Sequence, residues 1–256
     1  GIAARYRDKT PKNPSRAIHT CRARVKEARA LLRLAPPSLR EQAKACRKEL
    51  AAAARILSAP RDRFVVAATL TKLIQEQSLD INMNDPPFNV ICGSSGRGLK
   101  QHHRKLLQQT SIQIYRVAQK IATWSPPPDP PARLVERAER SWRSARRAVP
   151  KKLATATPEH IHDLRKAVII CRYQMGFLNR HHRVGNSIVE FSLEKLRKKL
   201  GKIFDFYRVG TELYRIRPEI HTDLMKILTK AIRSNQRILK KRITKSVEHL
   251  FGAGSR

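Results

Sequence analysis

Apolar residues recur every three to four positions along almost the whole chain, the period of an amphipathic helix. Ile18, Cys21, Val25, Ala28 and Leu32 form one such stripe; Leu193, Leu196, Leu200 and Ile203 form another. At about 100° per residue, each stripe lies on one side of its helix. The spacing predicts helices over 15–34, 38–58, 61–79, 98–124, 131–149, 158–178, 187–208 and 218–250. Prolines punctuate them. Pro36-Pro37 separates the first two, and Thr157-Pro158-Glu159 offers an N-cap followed by proline at the first helical position. Pro218-Glu219 is expected to open the last helix in the same way. No segment alternates as a strand should. The nearest, Phe88–Cys92, falls in a loop between Asp85-Pro86-Pro87 and Gly93-Ser94-Ser95-Gly96. The fold class is therefore all-α.

Ser125-Pro126-Pro127-Pro128-Asp129-Pro130-Pro131 reads as a stiff, extended linker. It divides a single domain over 1–256 into halves 11–124 and 131–250. A helix led by histidine occurs once in each half, a weak internal duplication. It predicts two pseudo-symmetric helical bundles of about four helices each.

Charge changes the picture. The chain has 54 Lys and Arg against 20 Asp and Glu, a formal charge of +34. Residues 1–124 carry +16 and residues 125–256 carry +18, so the excess belongs to the periodic segments and needs no basic tail. Such charge repels itself and lowers stability at low ionic strength. A fold keeps it when a polyanion is its usual companion: nucleic acid, polyphosphate or an anionic membrane surface.

The cations align. Beside the apolar stripe that starts at Ile18, residues His19, Arg22, Lys26, Arg29 and Arg33 step by 3, 4, 3 and 4. They share one helix edge, with a cation about every 5 Å along the axis. The second copy reads Ile161-His162-Asp163-Leu164-Arg165-Lys166, with Arg172-Tyr173 beyond it. A lone histidine there would be an ordinary polar residue at a core boundary; its recurrence with an arginine three residues on favours a site. Arginine offers phosphate a bidentate fork, lysine a mobile point charge, and histidine a donor whose charged form an anion favours.

Other lines support these two. Arg140, Arg143 and Arg147 share a face of the fifth helix; Lys195, Lys198 and Lys202 share one of the seventh. Lys226, Lys230, Arg233, Arg237 and Lys240 run along the last, and Arg40, Lys44, Arg47 and Arg55 form a looser row on the second. Solvated helix faces account for single rows of this kind, so these rank below the histidine-led helices.

Catalysis finds little support. Gly93-Ser94-Ser95-Gly96-Arg97-Gly98 lacks the Gly-Lys-Ser/Thr ending of a nucleotide-binding P-loop and follows no parallel strand. His102-His103 and His181-His182 are adjacent pairs that point to different helix faces, and no H-x-x-x-H or H-E-x-x-H occurs. Carboxylates are too sparse for a two-metal phosphohydrolase. No cofactor and no metal are expected. Cysteines 21, 46, 92 and 171 show no pairing pattern and are expected as reduced thiols, consistent with an intracellular, cytoplasmic setting. No apolar run reaches transmembrane length and no signal peptide is visible. The chain begins at Gly1 and not Met, so a trimmed start and missing targeting information are expected.

In order and spacing, these elements resemble the CHAD family, the conserved-histidine α-helical domain, over about residues 14–250. The resemblance is carried by Ile18-His19-x-x-Arg22 with Lys26 and Arg29, and by Ile161-His162-Asp163-Leu164-Arg165-Lys166 with Arg172-Tyr173. It is supported by Ser141-Trp142-Arg143-Ser144-Ala145-Arg146-Arg147-Ala148, by Arg61-Asp62, and by Leu200-Gly201 with Asp205. Two positions depart from the family pattern: Ile169 stands where a cation is usual, and Ser58 where glycine is usual before the Arg-Asp turn. The resemblance implies two bundles about a basic central groove that binds inorganic polyphosphate without catalysis, and association with polyphosphate granules. Together, the resemblance and the aligned rows give as expected contacts His19, Arg22, Lys26, Arg29, Arg33, Lys44, Arg47, Arg61, Arg140, Arg143, Arg147, His162, Arg165, Lys166, Arg172, Lys195, Lys198, Lys202, Lys230, Arg233 and Arg237. Nucleic acid is the lesser expectation as partner. Aromatics are only 5% of the chain and do not interleave with the basic lines, so base-stacking platforms are not expected.

Overall fold

The computed structural model describes residues 13–92, 97–125 and 128–252, and among these there is no strand. Its helices are α1 (Pro14–Leu31), α2 (Arg40–Ile56), α3 (Ser58–Glu76), α4 (Asn89–Cys92), α5 (Arg97–Ala122), α6 (Pro131–Arg147), α7 (Pro158–His182), α8 (Ser187–Arg215) and α9 (Thr222–Phe251). The all-α reading holds.

Local chemistry explains most boundaries. Asn13 caps α1: its side chain accepts from the Arg16 amide at 3.0 Å, and Pro14 occupies a position whose missing N–H is no loss. Thr157 Oγ1 accepts from the His160 amide at 3.4 Å ahead of α7, as the Thr-Pro-Glu sequence predicts. Two expectations need correction. Pro218 sits in a short 3-10 turn, Arg217–Glu219, and α9 opens only at Thr222, where His221 accepts from the Asp223 amide. Phe88 is buried, and the following Asn89–Cys92 form a single helical turn and not a loop; four residues are too few for any periodicity to declare.

Two compact units make up the described residues. The first comprises those within Gly1–Arg61, Ser95–Trp142 and Ile169–Ser187; the second, those within Asp62–Ser94, Arg143–Val168 and Ile188–Arg256. Each draws segments from both sides of the proline-rich stretch, and α6 and α7 each begin in one unit and end in the other. The stretch is tied at its far end by an ion pair between Asp129 and the buried Arg137. Pro126 and Pro127 lie outside the described residues.

In the first unit Ala17, Ile18, Cys21, Leu57 and Leu107 form one buried cluster, and Val25, Cys46, Leu50 and Val117 form another. The first stripe is thus the buried side of α1, and each buried leucine or isoleucine contributes about 1.5–3 kcal/mol. Burial pushes the Cys21 thiol up to about 11 and Cys171 up to about 12, so both are unreactive. In the second unit Leu193, Leu196, Leu200 and Ile203 are fully buried on α8. Val66, Leu70, Leu73, Phe88, Ile91, Val209, Leu213 and Leu228 continue that unit's core.

Candidate anion-binding sites

The α1 line divides into a tether and a cluster. Arg22 is half-buried; its Nη1 donates to the Ala54 carbonyl and, at 2.9 Å, to Ser58 Oγ. One carbonyl in the last turn of α2 therefore finds a donor on α1. Ser58, one of the departures from the family pattern, is an acceptor in this joint. His19 is exposed and Lys26 half-buried.

Farther along, Arg29, Arg33, Arg47 and Arg55 lie within electrostatic reach of one another. Burial, then Arg47 and Arg55, hold Arg29 below its ordinary value. Partial desolvation and then Arg29 do the same to Arg33, at the turn Leu32–Leu34. Burial and Arg33 lower Arg47, against which Glu41 acts weakly. Among the described residues the buried Arg29 Nε has no hydrogen-bond partner. Arg29 and Arg47 are half-buried while Arg33 and Arg55 keep exposed surface, so this is a set of like charges, half of them partly withdrawn from water, that an anion would relieve. The Arg61 side chain falls outside the described ones, and Lys44 is exposed and paired with Glu41 at 3.3 Å.

The start of α7 is built differently. His162 is half-buried and stacked on Phe204 of α8, with ring centroids 4.9 Å apart and planes at 24°. The guanidinium carbons of Arg165 and Arg208 lie 5.6 and 5.1 Å from the same centroid. Arg165 reaches over α8 beside Gly201, where a Cβ would stand 3.8 Å from its Nη2. Asp62 of α3 forms an ion pair with Arg208. Burial first, then Lys166, Arg165 and Arg208 against an opposing Asp163, push His162 below the usual histidine value. Lys166 is exposed and paired with Asp163 at 2.9 Å. Lys240 of α9 donates to the carbonyls of Ala154 and Ala156 at 2.8 and 3.0 Å, holding the turn that leads into α7.

Arg172, one helix stretch later on α7, lies in the first unit, 4.7 Å from the Tyr173 ring centroid. The Tyr173 hydroxyl donates to the Ala23 carbonyl at 3.1 Å, and the buried Gln174 donates to Ala30 O at 3.0 Å. The end of α7 is thereby locked onto α1.

The remaining expected residues are surface cations. Arg140 pairs with Glu136 at 2.8 Å, and Arg143 and Arg147 are exposed on α6. Lys195 caps the exposed Phe191 ring at 4.2 Å, Lys198 lies 3.9 Å from Glu194, and Lys202 is exposed. Lys230, Arg233 and Arg237 are exposed along α9. The structure thus gathers Arg29, Arg33 and Arg47 in one unit and His162 and Arg165 in the other.

Sequence reasoning missed Phe204 and Arg208. A signal existed: Gly201, Phe204, Asp205 and Arg208 step by 3, 1 and 3, one face of α8. Arg55 was legible only as part of a loose row. The glycine-rich stretch 93–96 lies outside the described residues, and His181 and His182 pack against Phe177 with centroids 4.9 and 5.3 Å away. No group of three or more His, Cys, Asp or Glu that could hold a metal occurs among the described residues. No helix among them is long and apolar enough to cross a membrane.

Comparison with known proteins gives one family: the model of the CHAD domain matches residues 3–212. No curated protein and no solved structure matches the chain.

Proposed function

The chain belongs to the CHAD domain family, and from that premise we propose that it binds long-chain inorganic polyphosphate through its arginine-rich helices, without acting on it. The CHAD domain is a helical domain that binds polyphosphate and is generally non-catalytic. The observation that carries the reading for this chain is the mutual electrostatic repulsion of Arg29, Arg33, Arg47 and Arg55 on half-buried and exposed faces of the first unit. Like charges that act on one another repel, and a fold tolerates that when their usual state is anion-bound. Polyphosphate is a flexible chain with about one negative charge per phosphate and no bases. It needs charge and phosphate geometry alone, which arginine forks supply.

In this reading Arg29, Arg33 and Arg47 are the principal contacts of the first unit, and His162 and Arg165 those of the second. Lys26 and Arg172 assist. Arg140, Arg143, Arg147, Lys195, Lys198, Lys202, Lys230, Arg233 and Arg237 attract the ligand from a distance. A chain long enough to occupy more than one set gains by effective concentration, so affinity should climb with chain length. Attachment to polyphosphate granules would follow from the same contacts.

Competition tests the reading. Long-chain polyphosphate should displace a nucleic-acid probe at matched phosphate concentration, while random DNA should fail to displace polyphosphate. Equal or stronger affinity for DNA overturns it. Release of phosphate from polyphosphate with Mg²⁺ or Mn²⁺ would overturn the claim that binding is all.

A further inference from the structure

Three side chains that can carry positive charge converge on one ring. His162 stacks on Phe204 at 4.9 Å, and Arg165 and Arg208 lie 5.6 and 5.1 Å from the same centroid. His162 and Arg165 stand one turn apart on α7; Arg208 stands one turn beyond Phe204 on α8. An aromatic face attracts cations through its quadrupole and packs flat against a neutral imidazole. Phe204 can therefore hold all three groups without neutralising any. A carboxylate in its place would cancel charge that a ligand anion needs.

The imidazole adds a second observation. Among the described residues its Nδ1 is buried without a hydrogen-bond partner. A bare ring nitrogen tolerates this better than an N–H, whose proton would be left unsatisfied. The free protein thus favours a neutral ring with its proton on Nε2, ready to donate. The groups that face the ring are Asp163, Arg165 and Lys166 on its own helix and Arg208 on α8, itself held by Asp62 of α3; three cations outweigh the nearer carboxylate. An arriving phosphate reverses that balance and favours the imidazolium.

We propose that Phe204 is a positioning residue of the polyphosphate site, its ring aligning His162, Arg165 and Arg208 as one phosphate grip and making anion capture proton-coupled at His162. The proposal rests on the polyphosphate reading. In the step itself a phosphate oxygen accepts from Nε2–H and the ring takes one proton from solvent at Nδ1; the attraction of the anion offsets the cost of that buried N–H, and no other bond forms or breaks. Proton uptake on binding means that affinity rises as pH falls through the histidine range.

Calorimetry with long-chain polyphosphate, in two buffers of different ionisation enthalpy, tests this. The wild-type protein should take up a fraction of a proton near pH 6.5 and bind about three- to tenfold tighter at pH 5.5 than at 7.5. H162Q should lose that pH slope, and H19Q should keep it. F204L should bind about tenfold more weakly, and F204Y should restore affinity. A flat wild-type profile without proton uptake overturns the proposal, as does an unchanged slope in H162Q or wild-type affinity in F204L. Should F204L fail to fold, F204Y and the H162Q proton count still decide. Absence of binding by the wild-type protein at every pH sinks the polyphosphate reading itself. Binding indifferent to Phe204 and His162 sinks this inference alone.

Discussion

The two histidine-led helices share a sequence pattern and differ in how they keep their cations apart from water and from one another. On α1 the histidine is exposed, its arginine neighbour is spent on the end of α2, and the guanidiniums farther on repel one another. On α7 the histidine is half-buried, and an aromatic ring, with Asp62 behind Arg208, organises the cluster. One set stores repulsion that a ligand would discharge. The other is held in shape beforehand. Similar spacing on a helix therefore does not imply similar electrostatics; the facing helix decides.

The sharpest way to break this contrast is to empty the repelling set. Replacing Arg29, Arg33 and Arg47 by Gln should lower polyphosphate affinity roughly 100-fold at moderate salt and flatten the salt dependence by about two in log–log slope. Replacing Lys230, Arg233 and Arg237 should cost only about threefold. Titrations at several salt concentrations measure both, and equal losses would mean diffuse attraction with no defined site. The same triple variant should melt about 2–4 °C higher than wild type at low ionic strength, as repulsion is removed.

Arg22 should behave as structure and not as ligand contact. Arg22→Ala leaves the Ala54 carbonyl and Ser58 without this donor and should cost about 1–3 kcal/mol in urea unfolding. Affinity per folded molecule should fall far less than in the triple variant. A full loss of binding with unchanged stability would reverse the assignment.

The α7 set should show itself through acid. His162 is lower in the folded state than unfolded, so the unfolded chain binds its proton first and stability falls as pH drops below the ordinary histidine range. Above that range the contribution is fully present. Urea midpoints between pH 7.5 and 5 should decline less in H162Q than in wild type. The smallest effects belong to the surface pairs. Removing Lys44 or Lys166, each paired with an exposed carboxylate, should change stability by less than about 0.5 kcal/mol.

Much of this was legible beforehand because burial follows period. Ile18, Cys21 and Val25 are buried as the stripe requires, and the capping residues at α7 read directly from the sequence. The mutually repelling arginines were visible as aligned positions, though not as a set shared by α1 and α2, since nothing in one helix announces which helix faces it. Phe204 stayed hidden for a related reason. A scarcity of aromatics argued against platforms for bases, and it gave no warning that one ring would serve the protein's own side chains. The tethering role of Arg22 depends on where α2 ends, which α1 cannot encode.

The interleaving of the two compact units bears on how the chain comes into being. Asp62–Ser94 is counted with Arg143–Val168 and Ile188–Arg256, so its partners emerge from the ribosome long after it does. The first unit likewise waits for Ile169–Ser187. Vectorial synthesis, which lets an N-terminal domain fold before the next is made, gives this protein little advantage. A gene split at the proline-rich stretch should therefore yield two fragments that fold only on meeting, and the exposed hydrophobic α3 would need shelter from a chaperone until the last helix arrives.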